Sequence, residues 1–205
     1  MINKDFNLSG MHFSVLQELG NMGAGNAVTA LSTLLDRKID MNVPKVQILS
    51  FRQVSEAIGG AENPVAAVLV NVSGTGINGI MMFLVELENT NILISSLIGT
   101  KVEALGEIEL SALKEVGNIL TSSYLGALST VLDTPIGTSI PYLSIDMAGS
   151  ILSVPAIEFA KIADSTIFIE SIFATDENDI SGYFILVPDQ ESYNFIFTKL
   201  GISQE

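Results

Sequence analysis

The sequence contains no cysteine. A disulfide scaffold, a thiol nucleophile and a thiolate metal site are all excluded. Histidine is almost missing too: His12 is the single one, which rules out a His-rich metal cluster. Cations are scarce, with 9 Lys and Arg against 23 Asp and Glu and a formal net charge of −14. Such a surface disfavours nucleic acid and anionic membranes. An acidic partner would have to be held by short-range fit rather than drawn in from a distance. No apolar stretch reaches the ~20 residues that a spanning helix needs. The first residues, Met-Ile-Asn-Lys-Asp-Phe-Asn-Leu-Ser, lack a basic region followed by an apolar run. No membrane insertion and no signal peptide are expected, and the expected location is the cytoplasm. With 48% hydrophobic and 16% charged residues over 205 positions, the composition suits one compact unit with a sizeable core.

What is present is a stretch that occurs twice. Residues 14–26 read Ser-Val-Leu-Gln-Glu-Leu-Gly-Asn-Met-Gly-Ala-Gly-Asn, and residues 111–123 read Ser-Ala-Leu-Lys-Glu-Val-Gly-Asn-Ile-Leu-Thr-Ser-Ser. Both carry Ser-x-x-x-Glu-x-x-Asn with glycine before the Asn, and both are followed by a proline, Pro44 and Pro141. The offset is constant: Ser14 to Ser111, Glu18 to Glu115, Asn21 to Asn118 and Pro44 to Pro141 are each 97 positions apart (115 − 18 = 97). A repeat of this kind constrains the fold before any local pattern does.

Residues 11–36 have the spacing of a long helix, with Leu16, Leu19, Ala27, Ala30 and Leu34 as its apolar stripe and Ser9 as its N-cap. Ser14, Glu18 and Asn21 fall within about 60° of one another, on the opposite face from those leucines. Gly20, Gly23 and Gly25 each weaken a helix by nearly ~1 kcal/mol relative to alanine, which another backbone packed close by would justify. Residues 39–50 are extended, with Pro44 marking an edge strand or a strand start. Phe51–Ile58 is a short helix ending at Gly59-Gly60. Pro64–Ser73 and Ile77–Glu86 are strands joined by Gly74-Thr75-Gly76, and Glu88–Leu97 is helical up to Gly99.

The second half repeats this order. Residues 109–132 form a long helix with Leu113, Val116, Leu120, Ala127 and Val131 inward and Ser111, Glu115 and Asn118 on its ridge. Ile140–Ile145 is extended, Met147–Ile162 holds a short helix, Ser165–Ala174 and Ile180–Val187 are strands, and Glu191–Leu200 closes the chain as a helix. Aligning Gly79 with Gly182 places an insertion of about six residues in the second hairpin, at Thr175–Asp179. The expected architecture is a single domain over 1–205, made of two homologous halves at about 9–99 and 106–200. Its class is α/β in an α+β-like form. It should have a pseudo-twofold repeat, one antiparallel-rich sheet, and the two long helices together on one face. Hairpins argue against a doubly wound parallel sheet.

Ser, Glu and Asn at this spacing do not form a nucleophilic triad, because no general base accompanies them and His12 cannot serve both copies. One carboxylate per copy is a poor cage for a hard cation. The glycines do not follow G-x-G-x-x-G, no strand precedes them and no Gly-Lys-Ser/Thr follows, so a nucleotide loop is rejected. What remains is a carboxylate and a carboxamide on a rigid helix, twice. A carboxamide donates and accepts hydrogen bonds without charge. It can therefore orient a water against an anionic target, as a glutamine does in GTPases. A solvated helix face retained by common descent is the plain alternative.

At these residues the sequence resembles the CheC family of chemotaxis proteins, which includes CheX and the flagellar switch phosphatases. That family's pattern is Asp or Ser, three residues, Glu, two residues, Asn, twenty-two residues, Pro. Ser14–Glu18–Asn21–Pro44 and Ser111–Glu115–Asn118–Pro141 both fit it. The resemblance implies hydrolysis of the phospho-aspartate on the response regulator CheY. Asn21 and Asn118 would hold the attacking water, and Glu18 and Glu115 would contact the regulator's lysine. Ser14, Ser111, Pro44 and Pro141 would support the motif. No cofactor is expected on this chain, and the Mg²⁺ would belong to the regulator. Stand-alone relatives also bind the receptor deamidase CheD, for which the segment at Asp146 is the candidate contact; a helix cap at Asp146 is the simpler reading. A non-catalytic partner of CheD is thus the alternative function. Two sites in one chain make a monomer sufficient.

Overall fold

The computed structural model describes residues 10–36, 38–158, 165–174 and 179–201. These residues form six helices and seven strands: α1 (Gly10–Leu35), β1 (Met41–Ser50), α2 (Phe51–Ala57), β2 (Pro64–Gly74), β3 (Ile77–Glu86), α3 (Leu87–Ile98), α4 (Glu107–Leu132), β4 (Ile136–Thr138), β5 (Tyr142–Met147), α5 (Ala148–Glu158), β6 (Ser165–Phe173), β7 (Ile180–Pro188) and α6 (Gln190–Lys199). The strands form one sheet in the order β1-β6-β7-β3-β2-β4, with β5 also on β2, and every pairing is antiparallel. Each half contributes its hairpin to the middle and sends its first strand across to the edge of the other half's hairpin. The pseudo-twofold axis therefore runs between β3 and β7, where Phe83 pairs with Phe184.

Both faces of the sheet are covered, which is why β2 and β3 are nearly continuous apolar runs rather than alternating ones. Ala66, Val70, Met81, Phe83 and Val85 face α1, α3, α4 and α6 in the larger core. Val65, Ala67, Met82 and Leu84 face α2 and α5 in the smaller one. The two long helices lie against each other on one face, as the repeat predicts. Where they meet, Gly23 of α1 receives the ring of Tyr124 of α4; a Cβ at Gly23 would run into Tyr124 Cδ1. The repeat has thus split a packing pair unequally, with Gly23 and Ala27 on one helix opposite the bulkier Leu120 and Tyr124 in the same positions of the other.

Tyr124 is buried, and its hydroxyl bonds to Ser171 Oγ at 2.9 Å. Burial raises its pKa from 10 to about 12, the Ser171 bond opposing this only in part. The folded state holds this proton more tightly than the unfolded chain does. The resulting stability is complete below pH 10 and drains away as pH rises towards 12, by up to about 3 kcal/mol. Denaturant midpoints at pH 9 and pH 11.5 should therefore fall further for wild type than for Tyr124→Phe. Equal losses would show that Tyr124 ionises freely in the fold.

Several local expectations change. In α1, Ala30 and Leu34 are exposed, and Leu31 and Ala24 take their places in the core. Val131 of α4 is only half-buried. The extended segment expected at Ile140–Ile145 is two strands: β4 lies earlier, and β5 starts only at Tyr142. Both pair with β2, and Ser139 bridges the gap, its N–H donating to Asn71 O and its Oγ accepting from Asn71 N–H, each at 2.9 Å. The extra residues of the second half also sit elsewhere. Val68 opposes Phe83 in the first hairpin and Ile169 opposes Phe184 in the second, both shifted by 101 (169 − 68 and 184 − 83). The hairpins are therefore equal in length. The four residues beyond 97 lie between the first strand and the hairpin, where α5 has 11 residues and α2 has 7. Gly182 thus corresponds to Met81, not to Gly79. Residues 175–178 and the proposed cap Ser9 lie outside the described residues. Among the described residues, no helix is long and apolar enough to cross a membrane.

Candidate functional site

Each motif helix is pinned to the sheet through the glycine that precedes its Asn. A Cβ on Gly20 would lie 2.6 Å from Val46 Cγ2 of β1 and 3.1 Å from Val43 Cγ1. A Cβ on Gly117 would lie 2.5 Å from Val68 Cγ2 and 2.6 Å from Val68 Cβ of β2. Only hydrogen fits at either place. The neighbouring residue is turned about 100° away by the helix, so the Asn is directed off the sheet. Asn21 is exposed and Asn118 half-buried; Ser14, Glu18, Ser111 and Glu115 are exposed. Gly25, by contrast, has nothing within 4 Å of its Cβ position, so close approach does not explain it. Where approach is close, at Gly20, Gly23 and Gly117, it is by side chains rather than by another backbone.

The distant proline of the motif also finds its place. Pro44 sits in β1 at a register shift between Asn42 and Lys45, on an edge strand. A residue without an N–H is accepted at such a bulge. Immediately before it, Val43 turns its carbonyl to α1 and accepts from Gln17 Nε2 at 3.0 Å. The same amide lies 3.4 Å from Asn21 Oδ1. Phe13, Ser14, Gln17, Glu18, Asn21 and Val46 line an open depression of about 440 Å³. Helix ridge and proline-marked strand thus meet in one place.

The second copy differs in detail. Pro141 stands half-buried just ahead of β5. Ser111 Oγ donates back to Glu107 O at 2.7 Å, and Thr121 Oγ1 to Gly117 O at 2.8 Å. Neither the Asn118 carboxamide nor the Glu18 and Glu115 carboxylates make a hydrogen bond or ion pair among the described residues. Both motif helices end alike, on an aspartate in the left-handed region, Asp36 (φ 49°) and Asp133 (φ 46°), again 97 apart (133 − 36). Aspartate tolerates that conformation better than most residues.

These two segments are what other proteins share. A profile of the CheC-like family matches residues 11–48 and 108–141, from each motif helix into the strand region at its proline. CheY-P phosphatase CheC of Bacillus subtilis (strain 168) is 36% identical over 196 residues, covering 92% of this chain and 93% of that protein. The chain belongs to the CheC-like family. Its fold agrees with the crystal structure of Thermotoga maritima FliY at a TM-score of 0.68 and 23% identity, over 94% of this chain and 99% of that one. It also agrees with the complex of CheX, CheY, BeF3 and Mg²⁺ from Borrelia burgdorferi at a TM-score of 0.50 and 14% identity, over 82% of this chain and 96% of the matched one. At these identities the two structures establish the fold alone.

Two features of this CheC-like chain escape the motif. Gln17 and Phe13 line the first depression, yet neither belongs to the repeated Ser-Glu-Asn pattern; Gln17 is replaced by Lys114 in the second copy. Asp146 is exposed on β5, and its Oδ1 accepts from Met147 N–H at 2.7 Å. It does not cap α5. The first N–H groups of that helix, on Ala148 and Gly149, donate instead to Asn63 O and Ala61 O, each at 2.8 Å. Around Asp146, Tyr142, Ile145 and Met147 are exposed on the same edge strand. Among the described residues no three His, Cys, Asp or Glu side chains converge on a metal-sized site.

Proposed function

We propose that this chain is a hydrolase that removes the phosphoryl group from the phospho-aspartate of a CheY-type response regulator. The observation that carries the reading is the paired Gly-Asn element: a glycine clamped to the sheet and, beside it, a carboxamide left open to a partner, in both copies. The names of the relatives point the same way, one a CheY-P phosphatase and one solved with CheY, BeF3 and Mg²⁺.

Asn21 and Asn118 each hold a water in line with the phosphorus. The water oxygen attacks, the bond from phosphorus to the aspartyl oxygen breaks, the carboxylate leaves with the electron pair, and the water's proton passes to the phosphate. Little covalent chemistry is asked of the protein, so placement carries the rate. A hundredfold acceleration needs about 2.7 kcal/mol. Glu18 and Glu115 meet the regulator's lysine; an exposed pair contributes about 0–1 kcal/mol, which sets orientation more than affinity. Mg²⁺ is assigned to the regulator. Ser14, Ser111, Pro44 and Pro141 hold the ridge and its facing strand. One chain with two sites acts as a monomer. Phosphate release from phosphorylated regulator, with and without this chain, tests the reading; release no faster than from the regulator alone would remove it.

The exposed apolar residues around Asp146 favour a second role, docking of CheD on β5. Tyr142→Ser with Met147→Ser should then weaken CheD binding and leave phosphate release intact. Unchanged binding would remove the second role.

A further inference from the structure

We infer that Lys114 makes the second motif site a detector of the phosphoryl group's charge, a positioning role that rests on the phosphatase reading above. Lys114 occupies the place of Gln17 (114 − 17 = 97). In the first copy that place overlies the Asn: Gln17 Nε2 is 3.4 Å from Asn21 Oδ1, four residues along the helix. Side chains four apart are neighbours on a helix surface. Lys114 therefore stands about 40° around the axis from Asn118 and about 100° from Glu115, on the side of the ridge away from the carboxylate.

Its surroundings leave the ammonium unspent. Lys114 is half-buried, yet it makes no ion pair or hydrogen bond among the described residues, in a chain with a net charge of −14. The ion pairs among those residues are Arg52–Glu56 and Lys101–Glu103. Among the described residues the Asn118 carboxamide beside it makes no hydrogen bond either. In the first copy, the Gln17 amide is instead committed to Val43 O at 3.0 Å. A partly desolvated cation and an open carboxamide, side by side, fit a phosphoryl group: Asn118 takes the water and Lys114 faces a phosphoryl oxygen. At the corresponding position the first site has the neutral amide of Gln17. The two copies thus differ in how strongly they distinguish phosphorylated from unmodified regulator.

The test isolates the second site with Asn21→Ala and compares Lys114, Lys114→Gln, Lys114→Arg and Lys114→Met. Phosphate release is followed against regulator concentration and salt, and binding is measured to beryllofluoride-treated and untreated regulator. Lys114→Gln should lower kcat/KM about fivefold, lower the preference for the beryllofluoride form by a similar factor, and flatten the salt dependence. Lys114→Arg should restore most of the loss and Lys114→Met none. In Asn118→Ala, Gln17→Lys should raise the preference of the first site. Equal behaviour of the Arg and Met variants would reduce Lys114 to an apolar stem covering the helix and overturn the inference. So would a loss shared equally by both forms of the regulator. If wild type releases phosphate and Asn21→Ala does not, the second site is idle and only this inference fails. If wild type itself releases none, the phosphatase reading fails with it.

Discussion

Asn21→Asp combined with Asn118→Asp is expected to bring phosphate release down to the rate of the regulator alone, although it changes the shape of neither side chain. The carboxamide works because it can accept from the attacking water and donate without bearing charge. A carboxylate at the same position brings a negative charge against phosphoryl oxygens that already carry one. It also loses the N–H donors. Neither motif helix can turn the altered side chain aside, because Gly20 and Gly117 hold the adjacent turns on Val46 and Val68. Placement supplies the whole acceleration in this mechanism, so the expected loss is the full hundredfold or so that positioning can provide. Phosphate release at neutral pH measures it. A double aspartate variant as fast as wild type would show that charge at this position is irrelevant.

Gly117→Ala and Gly25→Ala, the same substitution in equivalent kinds of helix, are expected to move stability in opposite directions. At Gly117 the new methyl meets Val68, a fully buried residue in the second strand from the edge, at 2.5 Å. The nearest atoms include Val68 Cβ, which is fixed by the backbone, so rotation of the side chain cannot clear the overlap. Overpacking of this kind costs about 1–3 kcal/mol, less the ~1 kcal/mol that alanine gains over glycine in a helix. Gly25 is exposed with nothing within 4 Å, so the gain of up to ~1 kcal/mol stands alone. Denaturant midpoints should place Gly117→Ala below wild type and Gly25→Ala above it. A Gly117→Ala protein as stable as Gly25→Ala would mean that the helix is not held on the sheet as described.

The contrast between those glycines shows where sequence reasoning stops. Three glycines close together in α1 look alike in one dimension; only the packing partner separates Gly20 and Gly23 from Gly25. The larger architecture is legible because it rests on long periodic runs and on a repeat. α1, α4, both hairpins and the pairing of the long helices all emerge from residues whose spacing leaves few choices. β4 escapes because three residues are too short for a period, and it is held by pairing to Val72, Ser73 and Gly74 rather than by its own pattern. Leu34 belongs to the apolar stripe by spacing but is exposed, since near its end α1 packs Leu31 and Leu35 against the core instead. The extra residues of the second half are misplaced by matching two glycines, because a glycine has no side chain to establish register; the pairing of Phe83 with Phe184 does. The family relationship is equally legible, since the matched segments are the two motif regions themselves. Gln17, which ties the first Asn to the strand before Pro44, is not legible: its partner is a backbone carbonyl at a bulge, and no residue type announces that.

In the proposed mechanism the Asn21 and Asn118 carboxamides are what hasten hydrolysis. The direct measurement is phosphate release from a phosphorylated CheY-type regulator with wild type, Asn21→Ala, Asn118→Ala and the double variant, each first shown to be folded. Each single variant should keep partial activity, and the double variant should release phosphate no faster than the regulator alone. A double variant that still releases phosphate as fast as wild type would contradict this mechanism.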